Sequence, residues 1–189
     1  GQVEDLKPFE TIEHVERAKS IITRNESPDI GFDRSINAYR GCEHGCSYCF
    51  ARPTHAYLGH SAGLEFERDI YVKANAVDLL RRELADKRYK PKPIAMGTNT
   101  DPYQPIEREY KLTRATLEVL LRYRHPVTIV TKGSLSLRDL DLLSELARQR
   151  LVSVMISLTT QYDELKRILE PRAAAPAGPS TGWLPPARP

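Results

Sequence analysis

Cys42, Cys46 and Cys49 are the only cysteines of the chain, and they share one short run, Cys42-Glu43-His44-Gly45-Cys46-Ser47-Tyr48-Cys49. An odd number of thiols always leaves one over in a disulfide set. In C-x3-C-x2-C spacing they form instead a metal site with one position unfilled. A four-iron, four-sulfur cluster takes four ligands. Three from the protein leave one iron open to a small molecule, which is what a catalytic centre needs. Zinc is the alternative, with His44, His55 or His60 completing a Cys3His tetrahedron. Structural zinc sites commonly draw on two short ligand pairs far apart in sequence, and no second pair is present. A zinc-stabilised binding module without catalysis is thus the reading from another class.

A centre of this kind has to be carried by regular elements. Ser35-Ile36-Asn37-Ala38-Tyr39 alternates polar and apolar residues and predicts a short strand ahead of the cysteine loop, with Gly41 and Gly45 relaxing the backbone of the loop itself. Further on, helical spacing over Ala74–Lys87, Leu112–Tyr123, Leu137–Arg150 and Gln161–Leu169 alternates with apolar runs at Pro93–Met96, Pro126–Val130 and Leu151–Leu158. Strand, helix, strand, helix at this interval predicts a parallel sheet wrapped by crossovers. Thr11–Ile22 reads as a short helix, and Asn25–Asp29 as a turn-rich connector.

In such folds the chemistry sits in loops after the C-terminal ends of the strands. Polar residues stand at each predicted end. Thr98 and Asp101 lie in Gly97-Thr98-Asn99-Thr100-Asp101-Pro102 after the second strand. Lys132 lies in Thr131-Lys132-Gly133-Ser134 after the third, and Ser157 and Thr159 at the end of the fourth. Hydroxyls and carboxylates accept hydrogen bonds from an ammonium group, and a lysine is a compact point charge for a carboxylate.

The run Tyr39-Arg40-Gly41-Cys42-Glu43-His44-Gly45-Cys46-Ser47-Tyr48-Cys49-Phe50-Ala51-Arg52-Pro53 closely resembles the cluster motif of the radical S-adenosylmethionine (SAM) superfamily, in the subgroup related to spore photoproduct lyase. The likeness extends from about Ser27 to about Arg172. It implies an α/β fold, a partial (β/α) barrel, and two cofactors, a 4Fe-4S cluster on Cys42, Cys46 and Cys49 and SAM chelated to the open iron. It implies reductive cleavage of SAM to a 5′-deoxyadenosyl radical, and an electron donor such as flavodoxin or ferredoxin. By the same resemblance Tyr48 lies near the adenine, Thr98 and Asp101 receive the SAM amino group, and Lys132 offsets its carboxylate. Ser157 or Thr159 holds the carboxylate or ribose, and the arginine of Glu170-Pro171-Arg172 sits near SAM. Gly97-Thr98-Asn99-Thr100-Asp101 replaces the Gly-Gly-Glu of many members. The substrate stays open, with a DNA or nucleic-acid repair or modification lyase as the alternative. Spore photoproduct lyases use a further cysteine as hydrogen-atom donor. Here each cysteine is committed to the cluster, and a tyrosine such as Tyr103 is the remaining carrier.

Lys and Arg number 28 against 25 Asp and Glu, a net charge of +3 that permits a nucleic-acid partner without arguing for one. The basic residues Arg81, Arg82, Lys87, Arg88, Lys90 and Lys92 read as a solvated helix face. No run is apolar over the length of a membrane span, no secretory signal is recognised at the first residues, and reduced thiols suit a reducing cytoplasm. Three regions are expected: residues 1–33 as an N-terminal extension, 34–172 as the partial-barrel core, and 173–189 as a Pro- and Ala-rich disordered tail. The core shows four β/α units where a radical SAM core resembles six, so the barrel reads as truncated, with its last sheet edge uncovered.

Overall fold

The computed structural model describes residues 10–174 of the chain. β1 (Ile12–Glu16), β2 (Ile22–Arg24), β3 (Arg34–Ile36) and β4 (Tyr39–Arg40) precede the cysteine loop. A 3-10 turn at Arg52–Leu58 leads into α1 (Glu65–Arg68), β5 (Asp69–Lys73), α2 (Ala76–Leu84), β6 (Ile94–Met96), α3 (Glu107–Tyr110) and α4 (Leu112–Arg122). Then follow β7 (Val127–Thr131), a second 3-10 turn at Ser134–Asp139, α5 (Leu140–Arg148), β8 (Val152–Ile156) and α6 (Asp163–Leu169).

The strands form two sheets, ordered β2-β3-β6-β7-β8 and β1-β5-β4. In the larger sheet β3, β6, β7 and β8 run parallel, the four units that the alternation predicts, and β2 joins antiparallel to β3. The crossovers carry α2, α4 and α5. α2 buries Ala76, Leu79, Leu80 and Leu84 at helical spacing. Those residues, with Leu117 and Leu120 of α4 and Leu143 and Leu146 of α5, share one core with Ile94, Met96, Val127 and Ile129 of the sheet. All four strand ends therefore point to one rim, where Thr98, Lys132 and Ser157 lie.

Several elements differ from the sequence reading. The stretch expected as a helix over Thr11–Ile22 is strand β1 followed by the start of β2. Ile12 and Val15 are β-branched, and β1 pairs in parallel with β5, with His14 opposite Tyr71. Tertiary pairing overrides what helical spacing suggested. Strand β5, Asp69-Ile70-Tyr71-Val72-Lys73, has the alternation of a strand but was not among the expected elements. The segment expected as an N-terminal extension thus supplies strands to both sheets. The strand expected over Ser35–Tyr39 is divided. β3 ends at Ile36, and Tyr39 and Arg40 pair antiparallel with β5 instead. Asn37 and Ala38 make the crossing, their carbonyls taking Lys73 Nζ at 2.7 Å and Lys73 N at 3.0 Å. The helix expected over Leu137–Arg150 opens with the second 3-10 turn and is α-helical from Leu140; at its start the Asp139 carboxylate is turned to Arg114 and Arg138 and makes no cap to the helix amides. Residues 175–189, where most of the low-complexity tail was expected, lie outside the described residues.

β8 has β7 on one side and no strand on the other among the described residues. Val154, Met155 and Ile156 are exposed along it.

Candidate cluster and cofactor site

The cysteine loop springs from the point where the chain crosses between the sheets. Gly41 has φ +82°, and a Cβ there would stand 2.8 Å from Phe66 O. The close approach is used: Cys42 N donates to Phe66 O at 3.0 Å. Gly45 has φ +66°, and a Cβ there would meet Glu67 Oε2 at 2.7 Å. Both positions favour glycine for their left-handed conformation, and Gly41 also for the backbone carbonyl it meets. The rest of the loop backbone is tied down at many points. Glu43 N donates to Gln104 Oε1 at 2.9 Å, Ser47 N to Leu169 O at 2.9 Å, and Arg52 Nε to Cys46 O at 2.9 Å. The Glu43 carboxylate accepts from Ile106 N at 2.6 Å and from Thr11 Oγ1 at 2.7 Å. Glu67 bridges Arg52 and Arg172, and Arg172 Nε also donates to the Glu43 carbonyl. Groups from the chain just before β1, from α1, from the loop between β6 and α3, and from α6 and the segment after it thus fix the path of the loop before any ligand arrives.

Cys42 and Cys46 are buried and Cys49 is partly so. Burial, and next the neighbouring Cys42, push the Cys46 thiol up to about 12; burial raises Cys49 as well, with Cys42 again adding to the shift. Cys46 and Cys49 thus lie close enough to a neighbouring thiol for its charge to oppose their ionisation. The three thiols become ligands together only when a cation supplies the missing positive charge. This donor set fits an iron-sulfur cluster held by three thiolates.

Beside the loop the structure assembles a polar group from four distant segments. Lys132 Nζ lies 2.7 Å from Glu170 Oε1, 2.8 Å from Ser157 Oγ and 3.2 Å from Thr159 Oγ1. The Tyr48 hydroxyl bonds Glu170 and lies 2.7 Å from Thr159 Oγ1, and Lys132 Nζ stands 5.6 Å over the Tyr48 ring. Burial opposes the charge on Lys132, but Glu170 and Tyr48 outweigh it and hold the ammonium above its ordinary range. Burial likewise opposes the Glu170 carboxylate, which Lys132, Thr159 and Tyr48 hold below its usual value. Cys46 feels the charges of both Glu170 and Lys132, so the group adjoins the cysteine loop.

Three of the expected cofactor-binding residues, Tyr48, Lys132 and Ser157, therefore meet in one place. Thr98 and Asp101 are engaged elsewhere. Thr98 Oγ1 exchanges hydrogen bonds with the Asn37 side chain, at 3.1 and 3.2 Å. Asp101 is buried and accepts from Thr131 Oγ1 at 2.6 Å, Lys132 N at 2.7 Å and Tyr103 N at 2.8 Å. It braces the backbone under Lys132. His44 Nδ1 stands 3.3 Å from Asp101 Oδ2, within ion-pair distance but outside hydrogen-bond geometry. Burial works against a charge on His44, yet Asp101 and Cys42 prevail and push it up to about 10.

Glu170 was not among the expected site residues. Its signal was the acidic position directly after α6, in a triplet noted for its arginine. Arg172 is engaged with Glu43 and Glu67 on the cysteine loop. Tyr103 is 2% exposed within the core, so the structure gives its ring no open face toward the site. Residues of the basic run pair with acids, Arg81 with Asp78, Arg88 with Asp86 and Lys92 with Asp33. A cavity of about 760 Å³ opens at the other end of the strands, lined by Asn25, Asp33, Lys92, Ala95, Thr128 and Met155 among others.

Comparison with known proteins gives a consistent picture. Residues 36–176 match the family model described as the radical SAM superfamily. The chain is 43% identical over 147 residues to an uncharacterised protein of Mycobacterium tuberculosis, covering 78% of this chain and 43% of that one. It is 32% identical over 155 residues to an uncharacterised protein of Methanocaldococcus jannaschii, covering 82% and 54%. A solved structure of spore photoproduct lyase, complexed with dinucleoside spore photoproduct, superposes with a TM-score of 0.55 at 15% identity, over 86% of this chain and 44% of that one. This last likeness is one of fold. The chain spans about half the length of the curated relatives it matches. No helix of the described residues is long and apolar enough to cross a membrane.

Proposed function

We propose a function from one premise: the chain belongs to the radical SAM superfamily. Enzymes of this family use a 4Fe-4S cluster and SAM. The reading is that Cys42, Cys46 and Cys49 hold the cluster and that the Tyr48–Lys132–Ser157 group beside them receives SAM. When bound, the two cofactors supply reductive cleavage of SAM to a 5′-deoxyadenosyl radical. The observation that supports this is the placement of a buried, three-thiol loop next to a lysine ammonium at the C-terminal rim of a parallel sheet.

The chain's own residues have definable tasks. Arg52, Glu67 and Arg172 hold the loop in shape through their contacts with its backbone and with each other. Lys132 presents a positive point to the carboxylate of an amino acid, and Glu170 keeps it protonated and aimed until that carboxylate arrives. Tyr48 offers a ring face to a nucleobase, and Ser157 and Thr159 offer hydroxyls to carboxylate or ribose. Thr98 and Asp101 are the proposed acceptors for the ammonium, Asp101 through whatever acceptor capacity its three protein donors leave. A one-electron protein donor of the flavodoxin or ferredoxin kind is the proposed partner, and a reducing cytoplasm the proposed compartment. The substrate is proposed only as an organic molecule that yields a hydrogen atom.

Anaerobic reconstitution with iron and sulfide tests the reading. The protein should turn brown, and Cys42→Ala, Cys46→Ala and Cys49→Ala should each abolish the cluster absorbance, because two thiolates do not hold a cubane against solvent. Full iron and sulfide in all three variants, or a colourless zinc protein, would refute it.

A further inference from the structure

The smaller sheet carries a cluster of ligating side chains that the cysteine chemistry does not use. His14 lies on β1, Asp69 opens β5, and His60 follows the first 3-10 turn. One potential ligand atom from each lies within 4.8 Å of the others. His14 Nε2 stands 3.0 Å from Asp69 Oδ1. The other carboxylate oxygen, Oδ2, is taken by Arg68 Nη2 at 3.1 Å, which leaves Oδ1 turned to the histidines. His60 has outer partners of its own, the Tyr71 hydroxyl at 2.8 Å from Nε2 and Glu65 Oε1 at 3.7 Å from Nδ1. Tyr71 stacks on His14 with ring centroids 4.5 Å apart, and His55 packs edge-on to Tyr71 while bonding the Asp69 carbonyl at 2.9 Å.

A His–Asp hydrogen bond by itself accounts for two of these residues. It does not account for the third, which arrives from a separate segment with its ring braced by Tyr71. Two imidazoles and one carboxylate are a common three-ligand set for zinc, with a fourth position left to water. An ion bound at about 2.0–2.2 Å sets tetrahedral ligand atoms roughly 3.3 Å apart; His14 and Asp69 already stand near that spacing at 3.0 Å, and His60, within 4.8 Å of both, moves in to close the site. The braced ring and the paired second carboxylate oxygen are the outer contacts that orient metal ligands. His14 is about one third exposed, which gives an ion an entry path and water access to the open position.

We propose that His14, His60 and Asp69 bind a divalent cation of the zinc class, separate from the cysteines. The ion pins three segments together: β1, the chain just after the cysteine loop, and the head of β5. The segment next to Asp69 is the one whose Phe66 carbonyl receives Cys42 N. The ion is therefore a structural tether for the flank of the loop, and it is independent of whether the cysteines carry iron or zinc.

The test is zinc binding to the whole protein after its cysteine site has been filled with iron and sulfide by anaerobic reconstitution, followed by equilibrium dialysis and metal analysis. One equivalent of zinc should bind, with an X-ray absorption first shell of nitrogen and oxygen at about 2.0–2.1 Å and no sulfur at about 2.3 Å. His14→Gln and His60→Gln should each weaken that binding about tenfold or more, since even the outer partners of a ligand are worth as much, while iron and sulfide content stays unchanged. Neither histidine is fully buried, and a thermal melt of each apo variant compared with apo wild type checks its fold. Absence of a zinc equivalent, a shell made of sulfur, or undiminished binding in both variants would overturn the assignment.

Discussion

On the proposed reading, Lys132 is the residue on which cofactor recognition turns. Its ammonium is already satisfied by Glu170, Ser157 and Thr159, so an incoming carboxylate exchanges one charge-assisted contact for another. Removing the ammonium forfeits that contact altogether, at about 1.5–3 kcal/mol, or tenfold and more in affinity. Lys132→Ala should weaken SAM binding by at least that factor in a calorimetric titration and leave cluster absorbance intact. Unchanged binding would place the cofactor elsewhere. Asp101 behaves differently because its oxygens hold Thr131, Lys132 and Tyr103. Asp101→Ala leaves those buried donors without an acceptor, a cost of about 1–3 kcal/mol. It should lower the denaturation midpoint clearly and weaken SAM binding as well. A variant with full stability and impaired binding would mean that Asp101 faces the ligand and not the backbone.

Among the elements, the two loops that flank the core carry buried histidines whose protonation opposes the fold. Burial pushes His55 and His125 below the ordinary imidazole value of about 6.5. In each case the folded state favours the neutral ring, so the unfolded chain binds more protons as the medium is acidified. Their contribution is complete above about pH 6.5 and is lost as the pH falls from there toward their lowered folded values. The melting temperature should therefore drop between about pH 7 and pH 5, and His125→Gln should flatten part of that slope; an identical slope in the variant would remove His125 from the account. The same elements show how far the sequence carried. β3, β6, β7 and β8 with α2, α4 and α5 were legible because short apolar strand runs and amphipathic helices differ in period. β1 was not, because Ile12 and Val15 fit a helix or a strand alike until the parallel partner is known, and β5 was missed although Asp69–Lys73 alternates as a strand does. Lys132 and Ser157 could be placed together in advance as polar residues at strand ends, and Tyr48 through the family resemblance alone. Glu170 was hidden because its role depends on where α6 delivers it, and the spacing of one helix does not contain that information.

For the whole molecule the decisive feature is the unpaired side of β8. Val154, Met155 and Ile156 on that strand, with Leu158, Tyr162 and Ile168 on and before α6, form an exposed apolar border. Ile156 is 63% and Ile168 71% exposed, values at which these side chains contribute little to the core they adjoin. Among the described residues no strand covers the far side of β8, so its backbone N–H and C=O groups there can pair with another strand, and an apolar edge of this kind is a template for association. The expected behaviour is concentration-dependent self-association of the 189-residue chain. Charges placed on the border act on the associated state and not on the fold. Ile156→Lys combined with Ile168→Glu should reduce light scattering at a given concentration and leave the melting temperature and the cluster absorbance nearly unchanged. Scattering that persists in the double variant would move the sticky surface away from β8. A loss of the melting transition would show that this border is core, packed against chain that the strand order does not reveal.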